Sequence, residues 1–263
     1  MYGINSRKEL LFWWTGFEPY ERFTSEEVKS RFTLSPREEN KIRKEFEKNK
    51  QNNPHFFDGT LWRYEKIFTD SRGAVLQLSP ITYMPHNVLR FEKRQLNNYP
   101  NPISINAVQV TVDGYIPVGV RGKLSDQKGL CTMGSGFVKR ILDKEGKNFP
   151  PTNIFQTTEK ECLEETSYSF PYPFDIEEAY ALGAIFGSNH DTTICVYVPL
   201  KVQKRDIGLG NQEYSDLFFL KADEKSLDDF LNEGGIKGIP AADHLLGDIA
   251  LYREMRYERN LIK

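Results

Sequence analysis

The sequence predicts an α/β protein, a three-layer α/β/α sandwich around a mixed sheet, preceded by an amino-terminal extension. Three observations carry this. Strand-type apolar runs recur at 61–68, 74–82, 105–112, 115–121, 180–186 and 193–202. Helix-type stretches alternate with them instead of forming a separate block. Some successive runs are joined by tight turn signals and others by helices, which mixes the strand directions. Residues 1–52 read as a helical and aromatic extension. Residues 53–263 read as the main domain, its core sheet starting at about residue 103.

In chain order, Leu10 to Phe17 (LLFWWTGF) is an apolar aromatic cluster. Its Trp13 and Trp14 are expected to cap the core or to contact substrate or another subunit. Thr24-Ser25-Glu26-Glu27 has the form of a helix start. So does Ser35-Pro36-Arg37-Glu38, with proline at the first helical position. The second continues as a charged surface helix whose apolar positions are chiefly Ile42 and Phe46. The segment 53–59 marks a boundary. Two strands follow around the turn Asp70-Ser71-Arg72-Gly73, and then a helix is expected over Asn87–Tyr99. Asp113-Gly114 turns the strand at Ile105 into its partner at Tyr115–Arg121. Leu130 to Val138 reads as a short strand entering a loop bracketed by Gly134 and Gly136. Late in the chain, Leu217–Leu220 is a strand, and helices are expected around Ser226–Leu231 and Ala241–Met255.

The chemistry concentrates in Lys160-Glu161-Cys162-Leu163-Glu164-Glu165. Carboxylates at i, i+3 and i+4 of a helix share one face. Like charges so placed repel by a few tenths of a kcal/mol. A solvated surface tolerates this, and a hard divalent ion, which takes oxygen ligands, would exploit it. Thr158 followed by Glu161 fits a capping box, so the helix is expected to open near Thr158.

This order resembles the Nudix hydrolase family. The family motif runs from a glycine through a first glutamate to Arg-Glu-aliphatic-x-Glu-Glu-x-Gly-aliphatic. Its second half aligns without gaps onto residues 160–168, keeping Glu161, Glu164 and Glu165. Lys160 stands for the arginine, Ser167 for the glycine and Tyr168 for the closing apolar residue. Gly136 is the natural first-half glycine. Twenty-four positions separate it from Lys160, where the motif has fourteen. The first-half glutamate position therefore falls on Leu142, and Asp143 and Glu145 are candidates to replace it from the inserted loop. Extra loop length is thermodynamically mild.

The resemblance implies Mg²⁺-dependent hydrolysis of the pyrophosphate bond of a nucleoside diphosphate linked to another group, with Mn²⁺ as a substitute ion. Glu161, Glu164 and Glu165 would carry the metal. Lys160 would orient a glutamate, less well than an arginine fork. Backbone groups at Gly134 and Gly136 would approach metal or phosphate. Glu213 and Asp191 are candidate general bases. Arg121 and His190 are candidate substrate contacts. The long amino-terminal region and the extended loop resemble the layout of members acting on nucleotide sugars such as UDP-glucose. A non-catalytic nucleotide sensor is the alternative, favoured by the vacant first-half glutamate and opposed by the three retained carboxylates. Many family members form dimers, so a homodimer is open.

Composition bounds the rest. The 263 residues, 39% hydrophobic, suffice for one large domain. A net charge of −2 and a pI near 6.2 give no electrostatic case for nucleic acid or anionic membrane. The cationic residues Lys41, Arg43, Lys44, Lys48 and Lys50 are interleaved with Glu45 and Glu47, as on a solvated helix. No apolar run reaches the length of a membrane span, and the amino terminus lacks the apolar core of a secretory signal. Cys131, Cys162 and Cys195 show neither disulfide nor zinc spacing. Together these features predict a soluble, reduced, cytoplasmic protein, and the resemblance implies a small-molecule nucleotide as its partner.

Overall fold

The computed structural model describes residues 11–52, 58–90, 92, 99–122, 129–139, 154–188, 190–211 and 213–262. Its strands of three or more residues are β1 (Leu11–Pro19), β2 (Phe23–Glu27), β3 (Thr60–Asp70), β4 (Gly73–Thr82), β5 (Ile103–Val110), β6 (Tyr115–Arg121), β7 (Leu130–Thr132), β8 (Ser135–Phe137), β9 (Thr166–Tyr168), β10 (Tyr180–Phe186), β11 (Thr192–Pro199), β12 (Ile207–Leu209) and β13 (Tyr214–Lys221). The helices that matter below are α1 (Pro36–Asn52), α2 (Tyr83–Leu89), α3 (Ile154–Glu165), α4 (Glu224–Glu233) and α5 (Asp243–Arg253).

The central sheet has the order β1-β10-β11-β5-β8. It is mixed, as the sequence predicts: β11 runs parallel to β5, and every other pairing is antiparallel. All eight residues of β5 are buried, so both faces of the sheet are covered. On one face Ile154, Phe155 and Cys162 of α3 pack with Ile103, Ile105, Ala107, Ile194 and Val196. On the other, Leu245, Leu246, Ile249 and Tyr252 of α5 pack with Val108, Val110, Leu182, Ile185 and Cys195. Burying Phe155 alone contributes about 1.5–3 kcal/mol. A smaller antiparallel sheet, β13-β6-β7, carries the chain from β5 through the Asp113-Gly114 turn and back towards β8. A third, β2-β4-β3, shares the α3-side core through Trp62, Tyr64, Leu76 and Leu78.

Several expectations are corrected. Thr24–Glu27 does not begin a helix. It lies in β2, parallel to β4 from Phe23↔Ala74 to Glu27↔Leu78, because burying Phe23 and gaining a ladder outweigh a local capping signal. The helix expected over Asn87–Tyr99 is instead α2, which ends at Leu89; residues 91 and 93–98 lie outside the described residues. The acidic helix opens at least one turn before Thr158. That residue is fully buried within α3, its Oγ1 donating to Ile154 O at 2.9 Å. Glu161 is thereby released from any capping duty. The segments 53–57 and 140–153, with Leu142, Asp143 and Glu145, lie outside the described residues.

Other expectations hold closely. β6 and β10 have the bounds read from sequence. α1 starts at Pro36, and Ser35 Oγ donates to Glu38 Oε2 at 2.8 Å while Glu38 N donates to Ser35 Oγ at 3.3 Å. Ile42 and Phe46 are its buried residues. The aromatic cluster becomes the edge strand β1. Trp13 meets Tyr64 edge-on at 4.9 Å and Phe186 at 5.5 Å, and Trp14 meets Phe23 at 6.0 Å. Both tryptophans cap the core.

Candidate functional site

The site forms where α3 ends against the β7–β8 loop and β6. Gly134 and Gly136 shape that loop, for two different reasons. Gly134 has φ +85°, in the left-handed region, and a Cβ there would sit 2.6 Å from Cys162 Sγ. Gly136 lies in β8 opposite Ile105, on the α3 face of the sheet. A Cβ there would fall 2.7 Å from Glu161 Cδ. The Glu161 carboxyl group is thus laid directly against strand backbone.

The three glutamates fall within one arc of α3 as the spacing predicts, but that arc runs from solvent into the core. The step of about 100° from one helical residue to the next separates Glu164 from Glu165. Glu165 turns inward and is 1% exposed. Its Oε2 accepts from Gly134 N at 2.6 Å, Ser135 N at 2.9 Å and the Tyr214 hydroxyl at 2.8 Å. Its Oε1 lies 3.7 Å from Arg121 Nη1. Burial pushes the Glu165 carboxyl group up to about 7, although Arg121 and the three donors pull the other way. Glu161 and Glu164 instead share the Lys160 ammonium, at 3.1 and 2.8 Å. Those contacts, with the Glu164 bond foremost, hold Lys160 above its ordinary value.

Arg121 closes the opposite wall. It donates from Nη2 to Ser135 Oγ at 2.6 Å and from Nη1 to Glu213 Oε2 at 2.5 Å. Its guanidinium lies 4.7 Å over the Tyr214 ring. Burial lowers the pKa of Arg121, yet the surrounding Tyr214, Glu165, Cys131 and Glu213 raise it further, so it stays charged. Glu213, read from sequence as a candidate base, is engaged here by Arg121. Its side chain is 57% exposed.

The other two sequence candidates lie elsewhere. His190 stacks on Tyr99, with ring centroids 3.8 Å apart and planes 8° from parallel, and its Nδ1 contacts Arg90 O. Asp191 is buried on the α5 side of the sheet. It accepts from Ser104 Oγ at 3.0 Å, and its Oδ1 lies 3.6 Å from His244 Nε2. Thr193 bridges Ser104 and His244, and Asn106 donates to Asp248 at 2.7 Å. Burial pushes fully buried Asp248 up to about 7.

Sequence reasoning missed Tyr214, Ser135 and Thr132. Tyr214 lies across from Arg121 in the β13–β6 register, and its hydroxyl also reaches Thr132 O at 2.9 Å. A tyrosine directly following Glu213 is the available signal, and it acquires meaning only with that register.

Among the described residues, no three His, Cys, Asp or Glu side chains converge tightly enough to hold a metal ion by themselves. Two carboxylates do share one cationic partner, Lys160. Mg²⁺ commonly binds through one or two carboxylates with substrate phosphates and water completing its shell. Glu161 and Glu164 fit that mode, whereas Glu165 is committed to the loop. Among the described residues, no helix is long and apolar enough to cross a membrane.

No family model matches the sequence, and neither does any curated protein. Among solved structures, the chain is similar to the NUDIX domain of Shewanella oneidensis NrtR, complexed with ADP-ribose. The identity is 16% and the TM-score 0.37, over 63% of this chain and 95% of that one. It is also similar to the Nudix protein Tm1382, at 14% identity and TM-score 0.37, over 78% of this chain and 94% of that one.

Proposed function

We propose that the protein hydrolyses the pyrophosphate bond of a nucleoside diphosphate linked to another group, with Mg²⁺ bound by Glu161 and Glu164. The observation that carries this reading is Gly136, whose missing side chain leaves the Glu161 carboxyl group against the β8 backbone beside an exposed Glu164. A purely structural acidic helix has no use for that close approach. Bound there, the ion would neutralise phosphate charge and lower the pKa of a nucleophilic water.

The chain's own groups have separate tasks. Lys160 holds the two outer carboxylates together and supplies positive charge beside them. Glu165 fixes the loop by accepting from two successive backbone N–H groups, which sets the height of Gly136 above Glu161. Arg121, over the Tyr214 ring and tied to Ser135, presents a fixed cation opposite the acidic helix. Such preorganised charge needs no rearrangement as phosphate charge develops. Within this class a nucleotide sugar is the narrower proposal, resting on the amino-terminal strands and the extended loop.

The test is nucleotide release from UDP-glucose, UDP-galactose, ADP-ribose, NADH, dinucleoside polyphosphates, CoA and nucleoside triphosphates, with and without Mg²⁺. Glu164→Gln runs beside the wild type. Mg²⁺-dependent cleavage that the variant loses supports the hydrolase. Tight nucleotide binding without cleavage, unaffected by that variant, would instead favour a sensor.

A further inference from the structure

Glu213 occupies the only outward-facing contact found on the Arg121 guanidinium among the described residues. Tyr214 lies beneath that guanidinium, Ser135 Oγ holds its Nη2, and buried Glu165 stands 3.7 Å from its Nη1 on the inner side. The Arg121 side chain is 12% exposed, and the Glu213 side chain covering it is 57% exposed.

We propose that Glu213 is a built-in stand-in for substrate phosphate. It neutralises Arg121 in the empty site and is displaced when a phosphoryl group arrives. This rests on the reading of the site as one that binds a pyrophosphate. A carboxylate oxygen and a phosphate oxygen both accept charge-assisted bonds from a guanidinium N–H, so the Nη1 position that suits Glu213 also suits a phosphate.

The exchange needs no backbone movement. The Glu213 main chain is pinned at both ends: its carbonyl accepts from Gly122 N at 2.7 Å, and its N–H donates to Asn211 Oδ1 at 3.0 Å. Only the exposed side chain has to rotate into solvent. Arg121 keeps its place, since the Ser135 bond and the Tyr214 ring remain. Glu213 thereby adds to Glu165 in compensating this nearly buried cation before substrate binds, at the cost of weaker phosphate affinity. Glu213 is in this account a specificity-setting residue: a ligand must out-compete a carboxylate, which a diphosphate does better than a singly charged anion.

The test is calorimetric binding of inorganic pyrophosphate in metal-free buffer to the wild type, Glu213→Gln and Arg121→Ala, with Tm checked for each. Removing a solvent-exposed anionic competitor should tighten Glu213→Gln binding about three- to fivefold, and Arg121→Ala should bind detectably worse than wild type. Loss in Arg121→Ala with equal or weaker binding in Glu213→Gln overturns the proposal and leaves the pyrophosphate reading standing. Equal binding by wild type and Arg121→Ala, or no binding by wild type and Glu213→Gln, overturns the proposal, and the Mg²⁺-dependent release assay decides the pyrophosphate reading separately. Should Arg121→Ala fail to fold, the Glu213→Gln comparison still decides the proposal by its sign.

Discussion

Replacing Gly136 with alanine separates the two roles that the loop glycines play. The added Cβ would stand 2.7 Å from Glu161 Cδ and 3.0 Å from both its Cγ and Oε1. Ordinary contact between such atoms begins at about 3.5 Å, so the carboxyl group has to retreat by roughly 0.5–1 Å. What yields is the far end of a flexible, partly exposed side chain. The backbone is not forced, and the stability change should stay below about 1 kcal/mol. A misplacement near 1 Å in a reacting constellation costs on the order of 10²-fold in rate. The expected outcome is therefore a Tm within about 3 °C of wild type and Mg²⁺-dependent turnover reduced roughly 30- to 100-fold. Gly134→Ala is the contrasting control. Its left-handed backbone costs about 1–2 kcal/mol in any L-residue, and Cys162 Sγ at 2.6 Å is buried and cannot retreat. That variant should lose stability first. Wild-type turnover by Gly136→Ala, measured on the substrate identified from the panel, would refute the claim that this glycine positions Glu161.

Three further outcomes follow from the same geometry. Asp248 is protonated more readily in the folded chain, about 7 against an ordinary 3.8, so the folded state binds the extra proton and stability falls as pH rises from about 4 to 7. The gap corresponds to about 4 kcal/mol; Asp248→Asn should match the wild type near pH 4 and exceed it at pH 8 in denaturant midpoint, and parallel pH profiles would disprove this. Tyr214→Phe removes a hydroxyl hydrogen bond to a buried carboxyl group and should cost about 1.5–3 kcal/mol, read by urea unfolding, with an unchanged midpoint counting against the Glu165 anchor. Glu65→Ala strips buried Arg63 of the carboxylate that also accepts from Ser79 Oγ at 2.5 Å and Arg31 N at 3.2 Å; about 3–5 kcal/mol should be lost, and a loss under about 1 kcal/mol would show that the pair is dispensable.

The features legible in the sequence are those with a local cause. β6 and β10 are apolar runs closed by turn residues, and α1 announces itself by serine, proline and glutamate in capping order. The acidic helix follows from three carboxylates at helical spacing. What was not legible depends on partners far along the chain. β2 is a strand because β4 lies alongside it, about fifty residues later. Thr158 imitates a cap, yet in the fold it bonds back to Ile154. The inward turn of Glu165 needs Gly134, Ser135 and Tyr214 brought together from two sheets, and no spacing within residues 160–165 encodes that. His190 reads from sequence as a candidate phosphate or base contact because it sits beside Asp191 in the loop between two strands. Its stacking on Tyr99 depends on a contact across ninety-one positions.

The edge position of β1 sets a schedule for folding. Leu11–Pro19 is among the first stretches of the described chain to be synthesised, yet its partner Tyr180–Phe186 comes some 170 residues later. At about 5–20 residues per second, Phe12, Trp13, Trp14 and Phe17 wait on the order of ten seconds or more for the strand they will join. During that interval they form an adhesive apolar segment without its native partner. Yield in the cell should therefore depend on how well this segment is shielded from neighbouring chains as well as on the stability of the finished fold.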